Sequence, residues 1–253
     1  MRKKKIAISI DEPLLDIVNS YVDKTTIRST SQAIEFLIRQ AIKQAPITTA
    51  VILISEKDQH YLLEKIENIP LIERHVSFLK KFGINQIYLV TKENEALKKK
   101  VSELSKKIKI ELVNEEKGTG TANALTLVKN KVGNDFLVVN GDTFNDFNLK
   151  KMINEHIDSN KVATIGLISS TSPHKRGAAI LEGTTIIDFR EKQETKSNIV
   201  NAGIYILKLK VFEYFDKNTK SLELDIFPKL AKDKQLQGFF TYGKFIHLPD
   251  QPF

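Results

Sequence analysis

Two kinds of hydrophobic spacing divide the chain. Residues Lys5-Ile-Ala-Ile-Ser-Ile10 alternate strictly, with Ile6, Ile8 and Ile10 on one side and Lys5, Ala7 and Ser9 on the other. A period of two predicts a strand with one covered face. Asp11-Glu-Pro13 then opens a helix, since acids and an early proline suit a helix start. Leu14, Leu15, Ile17, Val18, Tyr21 and Val22 form its apolar face. Ser29 and Gln32 have capping-box spacing for a second helix. Its core face carries Ala33, Ile34, Phe36, Leu37, Ile38, Ala41 and Ile42, and Pro46 ends it. One strand and two helices in about 40 residues cannot cover this much apolar surface alone, which predicts a dimer.

Beyond the linker at residues 45–49 the rhythm changes. Continuous apolar runs at 50–54 and 136–139 read as buried strands, 84–90 and 108–113 read as further strands, and helical patterns at 70–82, 93–107, 121–128 and 149–159 separate them. Strand–helix alternation predicts an α/β fold with a mainly parallel, doubly wound sheet. Closer-spaced strands at 162–168, 178–182, 185–189 and 203–207 predict a partly antiparallel continuation. The run Phe136-Leu-Val-Val-Asn-Gly-Asp142 stands out because it ends in an amide, a glycine and a carboxylate. Asn-Gly-Asp makes a good turn. It also stands where an open α/β sheet binds its ligand, beyond the carboxyl end of a strand.

Composition excludes several classes. The absence of cysteine rules out disulfides and thiolate metal sites. No stretch approaches the roughly 20 apolar residues of a membrane span, so no membrane association is expected and the cytoplasm is the expected location. A net charge of +8 permits an anionic partner.

Two resemblances follow from these segments. Residues 3–44 resemble the ribbon-helix-helix family of DNA-binding proteins, in which two chains pair their strands and lay the ribbon in the major groove of double-stranded DNA. The resemblance implies base contacts from Lys5, Ala7 and Ser9, a phosphate clamp near Thr30 and Ser31, and backbone charge from Arg2, Lys3, Lys4 and Arg28. A plain dimerisation module, or a strand added to another sheet, remains open.

From about residue 50 to 253 the chain resembles the sugar-phosphate nucleotidyltransferases, with their Rossmann-like, GT-A-like fold. The matching segments occur in order: Pro70-Leu-Ile-Glu73, Gly120-Thr-Ala-Asn-Ala-Leu125, Asn140-Gly-Asp142, Glu191-Lys192, Asn201-Ala-Gly203 and Ser221-Leu-Glu-Leu-Asp-Ile-Phe-Pro228. The resemblance puts Gly120 and Thr121 beside the base and Asp142 on a metal. It puts Glu191 and Lys192 on the sugar and its phosphate, and Asn201 and Gly203 in the sugar pocket. The residue types agree: Glu191 and Asn201 can grip paired hydroxyls, Lys192 can meet a phosphate, and Asp142 suits Mg²⁺.

The pattern breaks in two places. The family's Gly-rich loop, which cradles the triphosphate, is here Ser55-Glu-Lys-Asp-Gln-His-Tyr61, without glycine or arginine. Lys57 and Lys65 are the substitutes at hand. The family's second metal-binding Asp is here His247, a poor Mg²⁺ ligand when neutral. The expectation is therefore a DNA-binding transcriptional regulator, units 1–45 and 50–253, whose inactive body senses a nucleotide sugar or sugar phosphate or acts as an interaction platform. It would be a homodimer, or a tetramer if the bodies also pair. The alternative is an active, Mg²⁺-dependent sugar-1-phosphate nucleotidyltransferase dimerised by its N-terminal module. A scaffold with neither activity is the third option. Between residues 55–61, Asp142 and His247, an open cavity with a bound anion would favour ligand sensing or catalysis, and a cavity filled by side chains of the loop would favour the scaffold.

Overall fold

The computed structural model describes residues 7–43, 47–116, 118, 120–133 and 135–250. Two compact units divide at Pro46, Met1–Pro46 and Ile47–Phe253.

The smaller unit holds α1 (Glu12–Ser20) and α2 (Thr30–Lys43). Asp11 caps α1, its carboxylate accepting the Leu14 N–H at 3.0 Å. At the start of α2, Ser29 Oγ accepts from Gln32 N at 3.3 Å, while Gln32 Oε1 reaches back to the Arg28 N–H at 2.6 Å. This is a capping box displaced by one residue on its return arm. Asp23 Oδ1 gathers the N–H groups of Thr25, Thr26 and Ile27 between the helices.

One expectation for this unit changes. Residues 7–10 form no strand, and Ala7 and Ser9 are simply exposed. A lone edge strand leaves its N–H and C=O groups unpaired, so alternation alone does not form one within a single copy. Lys3, Lys4 and Lys5 lie outside the described residues. The proposed phosphate contacts are used locally: Arg28 Nε donates to Thr25 O at 3.1 Å and Thr30 Oγ1 to Asn19 Oδ1 at 2.7 Å. Both hold the connection between the helices, and Ser31 lies exposed at the start of α2.

The larger unit runs β1 (Thr49–Leu53), β2 (Lys65–Ile66), β3 (Ile69–Pro70), α3 (Leu71–Lys81), β4 (Gln86–Thr91), α4 (Glu95–Leu104) and β5 (Lys109–Asn114). It continues with α5 (Thr121–Thr126), β6 (Asp135–Asn140), β7 (Thr143–Asn145), α6 (Leu149–Ser159), β8 (Ala163–Ser169), β9 (Gly177–Glu182) and β10 (Thr185–Glu191). Then come β11 (Ile199–Lys208), α7 (Phe227–Lys232), β12 (Leu236–Phe240) and β13 (Phe245–His247).

Nine strands form one sheet in the order β5-β4-β1-β6-β11-β8-β12-β10-β9. The first four are parallel, as the strand–helix alternation predicts. Beyond β6 the pairing is antiparallel except for β8 with β12, so the sheet is parallel on one flank and mixed on the other. β1 and β6 lie at its centre and are covered on both faces. Val51, Leu53, Phe136 and Val138 pack on one side, and Ala50, Ile52, Leu137 and Val139 on the other. Burial on both faces explains why these strands read as unbroken apolar runs. Their carboxyl ends, with that of β10 in the cavity lining described next, carry the candidate site.

Candidate functional site

β1 and β6 are parallel and end together, which brings two loops side by side. Gly141 N–H donates to Leu53 O at 2.8 Å, carrying the ladder one step past the end of β6. A Cβ at Gly141 would stand 2.8 Å from Ile54 Cβ, so glycine is the residue that fits. Behind it, buried His75 of α3 donates from Nε2 to Gly141 O at 3.4 Å. Burial holds the His75 pKa down to about 4, against the opposing pull of Gly141 O and Asp142.

Asp142 is thus fixed at the strand end. Its carbonyl accepts the Leu248 N–H at 3.0 Å, and its Oδ1 accepts Thr143 Oγ1–H at 2.9 Å. β13 pairs antiparallel with β7 and presents His247 opposite Thr143. His247 Nε2 lies 3.7 Å from Asp142 Oδ2, and its Nδ1 lies 3.0 Å from Asp250 Oδ2, a charge contact without hydrogen-bond alignment. Burial disfavours the imidazolium, but the two carboxylates outweigh it and raise the His247 pKa above the usual imidazole value. Burial likewise works against the Asp142 carboxylate, and His247 and Thr143 overcome it to lower its pKa. Asp250 is also paired with Arg176, whose guanidinium lies 4.6 Å from the Phe245 ring centroid.

Two cavities meet at this point. The larger, about 580 Å³, is lined by Asp142, Glu191, Lys192, Asn201, Gly203 and His247, together with Lys175, Arg176, Tyr205's neighbours Asn140 and Glu223, and other residues. A smaller one, about 210 Å³, is lined by Gly120, Thr121, Ser55, Asp58, Glu115 and the end of β1. Asn140 and Asp142 line both. All seven residues singled out as ligand contacts therefore fall in two adjoining cavities, with Asp142 at the junction.

The walls of the larger cavity are held by short local bonds. Asn201 Oδ1 accepts from Gly203 N at 2.8 Å, and its Nδ2 donates to Tyr205 Oη at 2.8 Å. Glu191 ends β10 and Lys192 follows in a left-handed conformation at φ 50°, a strained backbone of the kind found at functional sites. Glu191 Oε2 is buried without a hydrogen-bond partner among the described residues. Burial, then the charge of Glu223, push the Glu191 pKa up to about 7, against the pull of Lys192. In the smaller cavity Gly120 has φ +105°, and a Cβ there would come 2.4 Å from Lys220 O.

Residues 55–61 form a turn and a 3₁₀ helix (Gln59–Leu63). Ser55 Oγ donates to Asp58 Oδ2 at 2.6 Å, and Glu56 pairs with Lys92 at 2.6 Å. The loop borders the smaller cavity through Ser55 and Asp58 and leaves it open. Lys57 is 83% exposed and contacts Asp58 at 3.8 Å, and neither Lys57 nor Lys65 lines either cavity. The cations that do line the larger one are Lys175, Arg176 and Lys192. Sequence reasoning passed over Lys175, Arg176, Tyr205 and Glu223. The last stood inside a quoted motif, and the tyrosine read as one more core residue of β11.

A model of the nucleotidyl transferase family matches residues 53–245. The chain belongs to that family. It is 31% identical over 189 residues to the mannose-1-phosphate guanylyltransferase catalytic subunit beta of Drosophila melanogaster, covering 72% of this chain and 51% of that protein. It is 29% identical over 186 residues to mannose-1-phosphate guanylyltransferase 1 of Arabidopsis thaliana, covering 70% and 52%. The chain thus spans about half the length of these curated relatives. Among solved structures, HddC from Yersinia pseudotuberculosis superposes with a TM-score of 0.68 at 22% identity, over 80% of this chain and 94% of that one. UDP-glucose pyrophosphorylase complexed with UDP-glucose gives 0.68 at 18%, over 80% and 93%. These likenesses establish the fold.

The family assignment overturns the expectation of a DNA-binding transcriptional regulator with an inactive body. The relatives are named as mannose-1-phosphate guanylyltransferases. The relatives' names leave the reading as a pseudoenzyme without support, and the cavity beside residues 55–61 is not filled by side chains of that loop. Among the described residues no helix is long and apolar enough to cross a membrane.

Proposed function

We propose that this protein joins a nucleoside triphosphate to a sugar 1-phosphate, releasing pyrophosphate and forming a nucleotide sugar. The observation that carries this reading is the pair of adjoining cavities that share Asn140 and Asp142. A two-substrate transfer needs two pockets whose contents meet at one point. In this reading a sugar-phosphate oxygen attacks the α-phosphorus, a new P–O bond forms, and the α–β bridging bond breaks as pyrophosphate leaves. Glu191 and Asn201 hold sugar hydroxyls, Lys192 and Lys175 meet the phosphate, and Gly120 and Thr121 border the base.

The donor set suits Mg²⁺. Asp142 offers a carboxylate, and beside it Asn140 Oδ1 is a buried acceptor without a partner. Among the described residues no cluster of three His, Asp or Glu could hold a metal by itself. Mg²⁺ is often held by one or two carboxylates plus substrate phosphates, so Asp142 and Asn140 would hold it together with the triphosphate. When bound, it neutralises charge on the phosphates. His247 is drawn toward its charged form by two carboxylates and serves as a counter-ion to Asp142 rather than as a ligand.

The names of the relatives nominate mannose 1-phosphate and GTP as the first pair to try. Pyrophosphate release from each common nucleoside triphosphate with mannose, glucose and galactose 1-phosphates tests the reading. Turnover with one pair that is lost in Asp142→Ala is expected. No turnover with any pair, at any Mg²⁺ concentration, would overturn it. The cytoplasm, which holds both substrate classes, is the compartment this reading calls for.

We further infer that the N-terminal unit pairs two chains, in the manner of the ribbon-helix-helix family. Ile8, Leu14, Ile17, Tyr21, Phe36 and Ile38 are exposed, while Val18 and Ala33 are its buried apolar residues among those described. A unit of 46 residues that leaves this much apolar surface in water gains from a second copy. Light scattering on the full chain should give a dimer, and Ile17→Lys should give a monomer. A monomeric wild type would sink the inference.

A further inference from the structure

Glu223 joins the two cavities chemically, although it entered the sequence reading only as part of a structural motif. It sits on a single π-helical turn, Leu222–Ile226, a departure from α-geometry common at functional sites. Its Oε1 accepts the Tyr205 hydroxyl proton at 3.3 Å. Its Oε2 accepts from Thr121 Oγ1 at 2.7 Å and from Ser221 Oγ at 2.8 Å.

Each donor oxygen is itself already engaged as an acceptor. Tyr205 Oη already accepts from Asn201 Nδ2 at 2.8 Å and Asn140 Nδ2 at 3.4 Å. Ser221 Oγ accepts two N–H groups, those of Glu223 and Leu224, both at 3.1 Å. Thr121 Oγ1 accepts the Leu222 N–H at 2.9 Å. Both oxygens of Glu223 must therefore act as acceptors, which a carboxylate satisfies and a glutamine amide does not. Tyr205 is fully buried, so its hydroxyl has no water to fall back on. Asn140 and Asn201 line the larger cavity, and Thr121 lines the smaller one.

We propose that Glu223 is a positioning residue for both half-sites: through Tyr205 it aims the amides of Asn201 and Asn140, and through Thr121 it fixes the start of α5. The inference rests on the transferase reading for its kinetic consequences and on the bond network alone for its structural ones. Its carboxylate also faces Glu191 across the cavity that Lys192, Lys175, Arg176, Asp142 and His247 line. The charge of Glu223 thus adds to burial in raising the Glu191 pKa.

Glu223→Gln tests it, with Tyr205→Phe as the control that cuts the sugar-side arm alone. A hydrogen bond to a charged group is worth about tenfold or more in an equilibrium. Glu223→Gln should therefore raise the KM for mannose 1-phosphate about tenfold, raise the KM for GTP and lower kcat. Tyr205→Phe should raise the sugar-phosphate KM and leave that for GTP within about twofold. Independently of turnover, the ¹⁵N-labelled side-chain amide signals of Asn201 should shift in both variants. The ¹³C carboxyl titration of Glu191 should move to lower pH in Glu223→Gln only. An inactive wild type would count against the transferase reading and leave the two spectroscopic readouts to decide this one. Asn201 signals and a Glu191 midpoint unchanged in Glu223→Gln would overturn it.

Discussion

His247 Nε2 stands 3.7 Å from Asp142 Oδ2, where the resemblance to the family expects a second carboxylate. The histidine is not idle there: it balances the charge of Asp142 and leans on Asp250, which Arg176 holds from the other side. With the Asp142 carboxylate and the Asn140 amide oxygen at the junction of two cavities, a Mg²⁺ there would draw the rest of its shell from substrate phosphates. His247→Asp supplies a second oxygen donor and should lower the Mg²⁺ concentration giving half-maximal rate by about tenfold, while Asp142→Asn should cost about 10² to 10³ in kcat. An unchanged or higher Mg²⁺ requirement in His247→Asp would show that the imidazole, not the lost carboxylate, sets the metal demand.

Glu191 has its pKa raised to about 7 against a usual 4.5, by burial first and then by Glu223. A carboxyl whose folded pKa lies above its unfolded value binds more protons when folded, so stability falls as pH rises from 4.5 through 7. Allowing for partial exposure, the loss is about 1–3 kcal/mol. Glu191→Gln removes this term. Its melting temperature should gain on the wild type between pH 5 and pH 8, and its sugar-phosphate KM should lose the wild type's pH dependence across the same range. A parallel shift at all pH values would show that Glu191 is already ionised when folded.

His75 and His156 titrate in the opposite sense. Burial is the main cause for both, with Lys208 adding to it at His156, and both pKa values fall to about 4 from the usual 6.5. Each therefore gives stability that is complete above pH 6.5 and lost as pH falls toward 4, up to roughly 3 kcal/mol per residue. His156 Nδ1 shares a hydrogen bond with Thr164 Oγ1 at 2.7 Å. His156→Asn should destabilise the chain at pH 8 yet roughly halve the loss between pH 7 and pH 4.5, read by urea unfolding at each pH. Equal pH slopes in the two proteins would place the acid sensitivity elsewhere.

Gly120 tests the smaller cavity. At φ +105° no L side chain is at ease, and a Cβ would meet Lys220 O at 2.4 Å. Ala122 N–H donates to that same carbonyl at 2.9 Å. Gly120→Ala must move either the segment 219–221 or the start of α5. It should cost about 1–3 kcal/mol and raise the KM for the nucleoside triphosphate more than that for the sugar phosphate. Equal effects on both would mean that the strain spreads through Thr121 and Glu223.

How far the sequence carried these features follows from physical reasons. β6 was visible because burial on both faces leaves an unbroken Phe136-Leu-Val-Val139 run. β12 was not, since Gln237 and Gly238 interrupt it although Gln237 is buried. Three-residue strands such as β7 and β13 are too short to show a period, yet their pairing sets His247 beside Asp142. Glu191, Lys192 and Asn201 were legible as residue types suited to a sugar and a phosphate. Tyr205 was not, because nothing in an apolar run marks which hydroxyl three other side chains will share. The alternation at residues 5–10 announces a covered face and says nothing of what covers it, and residues 7–10 form no strand within one copy.

The loop at 55–61 gives the last test. Where the resemblance expects glycines and an arginine around a triphosphate, Asp58 lines the smaller cavity with a carboxylate that Ser55 Oγ holds at 2.6 Å. Lys57 is 3.8 Å away and largely in water. A negative group facing a tetra-anion repels it, and charges at this degree of exposure act with about 0.2–1 kcal/mol. Asp58→Asn keeps an acceptor for the Ser55 hydroxyl and removes the charge. The KM for the nucleoside triphosphate should fall by up to about fivefold with kcat little changed, because the repulsion acts on binding before and during transfer alike. The effect should shrink in high salt, where exposed charges are screened. A rise in KM would reverse the assignment: it would mean that Asp58 helps to bind the cation that accompanies the triphosphate, and that this loop replaces the missing cradle by recruiting a metal rather than by donating hydrogen bonds.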